Sequence, residues 1–280
     1  MKNQEAIEAN ILVHSTMAEY YNEVEPHFKP ESIARVKGII EEIHNATNFK
    51  KVLDLGCGTG FMIDIVKPFS EEITGVDVTQ EMLDRVNLSG PCRIELINGD
   101  TSTVDLAEEY YDLATAYSFL DHLQDLLPTF KKCYSSLREG GVFYADLSPS
   151  SYFWDKVKSI NPNEEYDEIV NREINAIYRK DKEIEERFGI SSEVFVKAEY
   201  FKHTKGGFSE EDLTAALLSA GFKKIKFVYH WFIGQANLIN SDPNDKEQLL
   251  KTASQMHNHL TSALPLSRDL FKYIGFIAEK

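Results

Sequence analysis

A ten-residue segment, residues 51–60, limits the possible folds more than any other part of the chain; it reads KVLDLGCGTG. Its first five residues are typical of a short buried strand, and three glycines follow at alternate positions. Glycine adopts backbone conformations that other residues avoid, and it lets a ligand approach the main chain closely. The segment therefore predicts a strand, a tight loop that faces a ligand, and a helix that begins after Gly60.

Further short apolar stretches alternate with helical patterns along the chain. We predict strands at residues 51–55, 72–77, 93–97, 111–117 and 142–147. Repeated strand–helix units of this kind are typical of a parallel sheet that is covered on both faces. The chain is therefore predicted to be an α/β protein with a doubly wound, mostly parallel sheet and helices on both faces. In such sheets ligands bind beyond the carboxyl ends of the strands.

Two features distinguish the glycine loop from a dinucleotide site. Dinucleotide sites have the fingerprint G-x-G-x-x-G, and Phe61 stands at the position of its third glycine. Acidic residues also lie near the loop. Asp54 precedes the loop, where a carboxylate repels a pyrophosphate but favours a positive group such as an amino-acid ammonium. Asp77 follows Gly58 by 19 residues, a spacing typical of a ribose-binding carboxylate. Asp100 follows the third strand, where it can accept a hydrogen bond from an adenine amino group. The pattern favours a ligand with an amino acid, a ribose and an adenine.

These residues resemble the class I S-adenosylmethionine-dependent methyltransferase family. The resemblance covers roughly residues 50–147, with a weaker similarity at 208–222, and residues 51–60 correspond to the family's motif I. The other matching segments are GVDVTQEML at 75–83, NGDT at 98–101, YDLATAY at 111–117 and LREGG at 137–141. The resemblance implies a Rossmann-like fold, S-adenosyl-L-methionine as the cofactor and S-adenosyl-L-homocysteine as its product.

The resemblance also implies which residues bind the cofactor. Asp77 is assigned to the ribose, Asp100 and Thr101 to the adenine end, and Tyr117 to the methionine end. The full predicted set is Tyr20, Tyr21, Asp54, Gly56, Gly58, Gly60, Asp77, Val78, Met82, Asp100, Thr101, Tyr117 and His122. Two alternatives stay open for the glycine loop: a turn that binds no ligand, and a site for a nicotinamide or flavin cofactor. Asp77, taken alone, also fits the role of a helix-capping residue.

A methyltransferase needs a general base only if its nucleophile arrives protonated. The candidates are His122, Tyr21 and His230. His122 stands where the family often has the second of two consecutive histidines, but it also fits a role in capping or packing its own helix. The pair Tyr20-Tyr21 fits either closure over the cofactor or core packing. No metal site is predicted, because His257 and His259 have no evident third ligand.

The strand–helix pattern breaks after Leu147. Residues 148–208 are aromatic and charged, with strand-like stretches near 173–186 and 194–203, so we predict an inserted β-rich lid. We expect Tyr152, Trp154 and Tyr200 to bind the methyl acceptor; a dimer interface or a local core is the alternative. Residues 1–147 are then the N-terminal helices and the cofactor-binding core, and residues 209–280 complete the sheet with a partly helical excursion.

Composition excludes several classes of partner. The net charge is −15 without a cluster of Lys and Arg, which disfavours nucleic-acid binding. No apolar run reaches the roughly 18 residues of a membrane helix, and the polar N-terminus lacks the apolar core of a signal peptide. The three scattered cysteines suit a reducing compartment. We therefore expect a cytoplasmic protein with no membrane partner, with a homodimer as a further possibility.

The function predicted from the sequence is methyl transfer from S-adenosylmethionine to a small-molecule acceptor by in-line displacement. A methyltransferase acting on RNA or protein, a non-catalytic S-adenosylmethionine-binding module, and another reaction of the same cofactor are the alternatives. O-, N-, S- and C-methylation all stay open at this point.

Overall fold

The computed structural model describes residues 2–178 and 180–280. The strands are β1 (Lys51–Leu55), β2 (Glu72–Asp77), β3 (Arg93–Asn98), β4 (Tyr111–Tyr117), β5 (Leu137–Pro149), β6 (Lys223–Phe232) and β7 (Phe271–Glu279). The helices are α1 (Lys2–Met17), α2 (Tyr21–Val24), α3 (Pro30–Thr47), α4 (Phe61–Val66), α5 (Gln80–Leu83), α6 (Leu126–Ser136), α7 (Ser151–Lys158), α8 (Glu168–Tyr178), α9 (Lys180–Phe188), α10 (Ser192–Ala198), α11 (Glu210–Ala220), α12 (Gln235–Ile239) and α13 (Lys246–Ser262). Short 3-10 helices lie at Pro26–Phe28, Lys67–Phe69, Leu120–His122, Pro243–Asp245 and Arg268–Leu270, and a π-helical turn at Phe201–Lys205.

The seven strands form one sheet in the order β3-β2-β1-β4-β5-β7-β6. Strands β1 to β5 pair in parallel, whereas β7 is antiparallel to both of its neighbours, β5 and β6. The order reverses direction between β1 and β4, so the carboxyl ends of these strands border a crevice of the kind in which ligands bind. The predicted doubly wound, Rossmann-like sheet is confirmed.

Alternate residues of the central strands supply two separate hydrophobic cores, one on each face of the sheet. In β4, Leu113 belongs to the core under α3 and α4, and Ala114 belongs to the core under α6 and α11. In β5, Val142 and Phe143 divide in the same way. This alternation follows from the two-residue period of a strand, and it explains why both faces of the sheet carry helices.

The insertion at 148–208 is helical, so the prediction of a β-rich lid is wrong. The predicted strand-like stretches fall on α8, α9, α10 and the π-helical turn, with Arg179 lying outside the described residues. In α8 the apolar residues Val170, Ile174 and Ile177 recur at helical spacing, and Ile174 is buried. Helical periodicity therefore decides the structure here over the β-branched and aromatic content of the segment.

The two ends of the insertion meet at one point of the fold. The amide of Phe208 donates to the carbonyl of Pro149 (2.8 Å), and the amide of Ser151 donates to the carbonyl of Phe208 (2.9 Å). The insertion then packs against α1 through a cluster of buried residues that we call the lid cluster; it comprises Ala9, Val13, Met17, Ile184, Ile190, Phe195 and Ala198. The insertion thus leaves the sheet at β5, supports the N-terminal helix and returns to the sheet.

The predicted N-terminal helices include α1 and α2, and these two are separate because α1 ends at Met17 and α2 begins at Tyr21. Among the described residues, no helix combines the length and the apolar character that a bilayer crossing needs.

Candidate active site

A cavity of about 420 Å³ lies beyond the carboxyl ends of β1, β2, β3 and β4. Its first side, the loop wall, comes from the strand ends and consists of residues 56–59, 77–79, 100–102 and 117–119. Its second side, the helix wall, comes from the N-terminal helices and consists of Ala6, Ile7, Asn10, His14, Tyr21, His27 and Phe28. Residues that follow β4, including His122 and Leu123, complete the lining.

The glycine loop needs its glycines for two different reasons. Gly56 has φ +67°, and a Cβ atom there would lie 2.1 Å from the ring of Phe119. Gly58 has φ +52°, and nothing lies within 4 Å of the Cβ position. Gly56 therefore permits close packing of the loop against Phe119, whereas Gly58 leaves open space on the cavity side, where a ligand can approach the main chain.

Asp77 organises the loop wall from the end of β2. Its Oδ2 accepts a hydrogen bond from the amide of Gly58 (2.9 Å), and its Oδ1 accepts one from the amide of Thr79 (2.9 Å). Burial raises the pKa of this carboxyl above its ordinary value, and the two amide donors oppose that shift. The side chain thus holds two backbone segments together and also faces the cavity.

Asp54 lies beneath the loop and does not line the cavity. Its Oδ1 accepts a hydrogen bond from the hydroxyl of Thr115 (2.7 Å), and its Oδ2 has no partner among the described residues. Burial, together with the negative charge of Asp77, raises the pKa of Asp54 to about 7. Burial therefore favours the neutral form of this carboxyl, and its position gives no support to the predicted contact of Asp54 with the cofactor.

The two ends of the loop wall have different polar groups. At one end, Asp100 accepts hydrogen bonds from the amide and the hydroxyl of Ser102 (both 2.8 Å), and Thr101 is buried with its hydroxyl 3.2 Å from that of Thr129. At the other end, the hydroxyl of Tyr117 is buried without a partner in the described part of the chain. Burial raises the pKa of Tyr117, so its hydroxyl stays protonated.

Two histidines face each other at the junction of the walls. The ring centroids of His14, from α1, and His122 lie 4.9 Å apart at an interplanar angle of 85°. His14 was missed by the sequence analysis, although Ile7, Asn10 and His14 recur at helical spacing and all line the cavity. The helical pattern placed them on one face, but nothing local indicated what that face covers.

Ten of the predicted site residues come together in the cavity lining: Tyr21, Gly56, Gly58, Asp77, Val78, Met82, Asp100, Thr101, Tyr117 and His122. Tyr20 is 46% exposed and lies outside the lining, as does Gly60, whose conformation (φ +93°) instead begins α4. His230 lies in β6, buried beside Trp231 and Tyr273, and its position gives no support to a catalytic role.

The residues predicted to bind the acceptor also lie outside the cavity lining. Tyr152 donates a hydrogen bond to Glu211 (2.5 Å), and Arg268 lies over its ring. Trp154 is buried in a local core of the insertion, and Tyr200 lies at the start of the π-helical turn. The insertion thus supports the helix wall from outside, because α10 packs on α1 and its Ala198 carbonyl accepts a hydrogen bond from His122 (2.9 Å).

The residues present fit S-adenosylmethionine. The open space over Gly58 lets a ligand reach the main chain, and Asp77 and Asp100 offer carboxylate oxygens for ribose hydroxyls and an adenine amino group. The unpartnered hydroxyl of Tyr117 offers a donor at the far end. No Lys or Arg lines the cavity in the described part of the chain, and this acidic surrounding favours a ligand that carries a sulfonium and an ammonium.

Comparison with known proteins agrees with this geometry. Residues 53–145 match a family model described as a methyltransferase domain. A ubiquinone biosynthesis O-methyltransferase of Bordetella pertussis is 27% identical over 156 residues, which cover 52% of this chain and 65% of the relative. The protein of the same name from Idiomarina loihiensis is 28% identical over 147 residues, covering 50% and 60%. The chain thus spans less than two thirds of the length of these relatives.

Solved structures with similar folds are also methyltransferases. A Haemonchus contortus phosphoethanolamine N-methyltransferase 2 in complex with S-adenosylhomocysteine has a TM-score of 0.57 at 12% identity, covering 100% of this chain and 60% of that one. An S-adenosylmethionine-dependent methyltransferase from Archaeoglobus fulgidus has a TM-score of 0.51 at 16% identity, covering 89% and 95%. From the motif, the sheet and these similarities, residues 53–145 are a methyltransferase domain of the class I, Rossmann-like, S-adenosylmethionine-dependent type.

Proposed function

We propose that this protein transfers the methyl group of S-adenosylmethionine to a small-molecule acceptor. The observation that carries the proposal is the meeting of Gly58, Asp77, Asp100 and Tyr117 at four neighbouring strand ends around one cavity. Across the sheet, Tyr117, Asp77 and Asp100 lie in the order in which S-adenosylmethionine presents its amino acid, its ribose and its adenine. The curated relatives, named as O-methyltransferases of ubiquinone biosynthesis, support a small-molecule acceptor.

The cofactor is held, in this proposal, by the loop wall. Gly56 and Gly58 let it approach the main chain, Asp77 accepts from the ribose, and Asp100 and Thr101 lie at the adenine end. A charge-assisted hydrogen bond to a carboxylate contributes about 1.5–3 kcal/mol. Val78 and Met82, which also line the cavity, supply apolar contact area.

When bound, S-adenosylmethionine supplies an electrophilic methyl group on a positively charged sulfur. The remaining requirements are alignment and exclusion of water. The helix wall meets the second requirement because α1, α2 and the 3-10 helix at Pro26–Phe28 cover the loop wall. Tyr21 is partly buried there, and desolvation with neighbouring carboxylates raises its pKa, so its hydroxyl acts as a hydrogen-bond donor at neutral pH and not as a base.

His122 is the proposed general base. Its Nδ1 donates to the carbonyl of Ala198, so the neutral ring has an unprotonated Nε2 that can take a proton from the acceptor. His230, buried in β6 outside the cavity, offers a matched control for any effect of removing a histidine.

The test is label transfer from methyl-labelled S-adenosylmethionine into a bacterial extract, followed by mass spectrometry. We expect label in the small-molecule filtrate, strongly reduced by His122→Asn and kept by His230→Asn. Label found only in precipitated RNA or protein would support a macromolecule methyltransferase instead. Absence of any label, with cofactor binding intact, would favour a non-catalytic binding module. A cytoplasmic location and a homodimer stay predictions from the sequence.

A further inference from the structure

The histidine pair at the junction of the two walls has a defined tautomer in each ring. The Nδ1 of His14 lies 2.9 Å from the carbonyl oxygen of Asn10, and the Nδ1 of His122 lies 2.9 Å from that of Ala198. Because a carbonyl oxygen only accepts hydrogen bonds, each Nδ1 carries the proton. A neutral imidazole with its proton on Nδ1 has a hydrogen-bond acceptor at Nε2.

Both Nε2 atoms are free to meet a ligand. No hydrogen bond engages either of them in the part of the chain that the structure describes, and both rings line the cavity. We propose that the Nε2 atoms of His14 and His122 bind the methyl acceptor, and that this acceptor is a non-anionic molecule whose nucleophilic atom carries a hydrogen. The inference rests on the proposed methyltransferase function and deepens it by naming the acceptor class.

Charge in the cavity supports the exclusion of anions. Its charged lining residues, among those described, are Asp77, Asp100 and Asp125, and no Lys or Arg accompanies them. A carboxylate or phosphate group of an acceptor would leave water beside these carboxylates without a Lys or Arg side chain to pair with, which is costly. A hydroxyl, amine or thiol group loses little hydrogen bonding when it leaves water for the cavity, because an imidazole nitrogen accepts its hydrogen.

The surroundings keep His14 neutral. The groups that face its ring are His122, Tyr21 and Glu199. Burial, and then the charge of a protonated His122, lower the pKa of His14 to about 4, while its bond to Asn10 and the charge of Glu199 oppose this. At neutral pH the His14 ring is therefore an acceptor at Nε2 and does not repel a proton that moves to His122.

The transfer step balances with these groups. A lone pair of the acceptor's oxygen, nitrogen or sulfur forms a bond to the methyl carbon, and the carbon–sulfur bond breaks with its electron pair left on sulfur. The hydrogen on the nucleophilic atom passes as a proton to Nε2 of His122, while Nε2 of His14 orients the acceptor by accepting a hydrogen bond from a second N–H or O–H of that molecule. No oxidant, metal ion or further reactant takes part in this balance.

Nitrogen-15 spectra of the histidine rings in the full chain test the geometry without turnover. The His14 and His122 resonances are identified by their loss in His14→Gln and His122→Gln, and His230→Asn identifies a buried ring outside the cavity. We expect Nδ1-protonated, Nε2-unprotonated tautomers for both rings at neutral pH. A protonated Nε2 in either ring of the wild-type protein overturns the proposal, because that atom is then a donor.

The acceptor class is tested by label transfer to a small-molecule extract that has been split by ion exchange into anionic and non-anionic pools. We expect label in the non-anionic pool, reduced about tenfold by His14→Gln with cofactor affinity preserved, as expected for one lost hydrogen bond. Label confined to the anionic pool overturns the inference. Absence of label in both pools contradicts the proposed function itself, and the nitrogen-15 spectra then still decide the status of the histidine pair.

Discussion

The loop wall and the helix wall enclose one cavity, yet they are held by different parts of the molecule. The loop wall rests directly on the central strands, whose side chains Leu53, Leu55 and Ala114 are fully buried. In the helix wall, α1 rests on the lid cluster between α1 and the insertion, whereas His27 and Phe28 pack against Phe61 beside the sheet. We infer that the loop wall is a rigid surface for the cofactor. The part of the helix wall formed by α1 is then a separately supported cover that can open for the exchange of ligands.

The largest effect is expected for Gly56→Ala in the loop wall. The added methyl would lie 2.1 Å from the ring of Phe119 at φ +67°, so we expect a loss of unfolding free energy of about 3 kcal/mol or more. Gly58→Ala is the matched control, since its methyl meets no atom within 4 Å and costs about 1–2 kcal/mol through its conformation.

Urea denaturation with and without S-adenosylhomocysteine measures both variants. We expect Gly58→Ala to lose cofactor affinity while it keeps most of its stability, because its methyl fills the open space over the loop. Equal losses of stability in the two variants would show that Gly56 is not packed as described.

A second comparison truncates one buried methionine in the core of the sheet, which supports the loop wall, and one in the lid cluster, which supports α1. Met62, 2% exposed in α4, packs in the core of the sheet, and Met17, 7% exposed, packs in the lid cluster. We expect Met62→Ala to lower the global unfolding free energy by about 2–5 kcal/mol. Met17→Ala should lower it by less, and should speed amide exchange in α1 more than in the sheet. Uniformly faster exchange in both regions would mean that the two walls form one cooperative unit.

Asp77→Asn tests the loop wall's contact with the ribose. One carboxylate oxygen is replaced by an amide nitrogen, so cofactor affinity should fall by about 1.5–3 kcal/mol. Because Asp77 also accepts from the amides of Gly58 and Thr79, stability without ligand should fall as well, by about 1 kcal/mol. Asp64→Asn, which removes a half-exposed surface carboxylate paired with Lys67, is the control. Calorimetry that finds equal cofactor affinity in both variants would place the ribose elsewhere.

The same two walls explain which parts of the molecule the sequence could predict. The loop wall follows from local patterns, because Gly58, Asp77 and Asp100 stand at strand ends that the apolar stretches mark. The contact between His14 and His122 joins residues far apart in the chain, and it depends on how α1 packs against the insertion. The insertion itself was assigned the wrong structure, since helical spacing in α8 outweighed its β-branched and aromatic content.

The smallest effect concerns pH and the helix wall. Burial lowers the pKa of His27 to about 4 from 6.5, so between these values the unfolded chain binds a proton that the folded chain does not. Stability should therefore fall as the pH drops from 6.5 toward 4, with a contribution of about 1–2 kcal/mol from this residue at pH 5. His27→Gln, which cannot titrate, should flatten this dependence in thermal melts across that range. An unchanged slope would mean that His27 is charged in the folded protein.

The most direct test of the account is isothermal titration calorimetry of the full chain with S-adenosylmethionine, S-adenosylhomocysteine and NAD. The loop wall, in which Asp77 and Asp100 line the cavity and no Lys or Arg accompanies them among the described residues, favours a ligand with positive charge and disfavours a pyrophosphate. We expect both sulfur compounds to bind with dissociation constants in the micromolar range and NAD to give no binding heat. Binding of NAD, with no response to either sulfur compound, would contradict the assignment of this cavity.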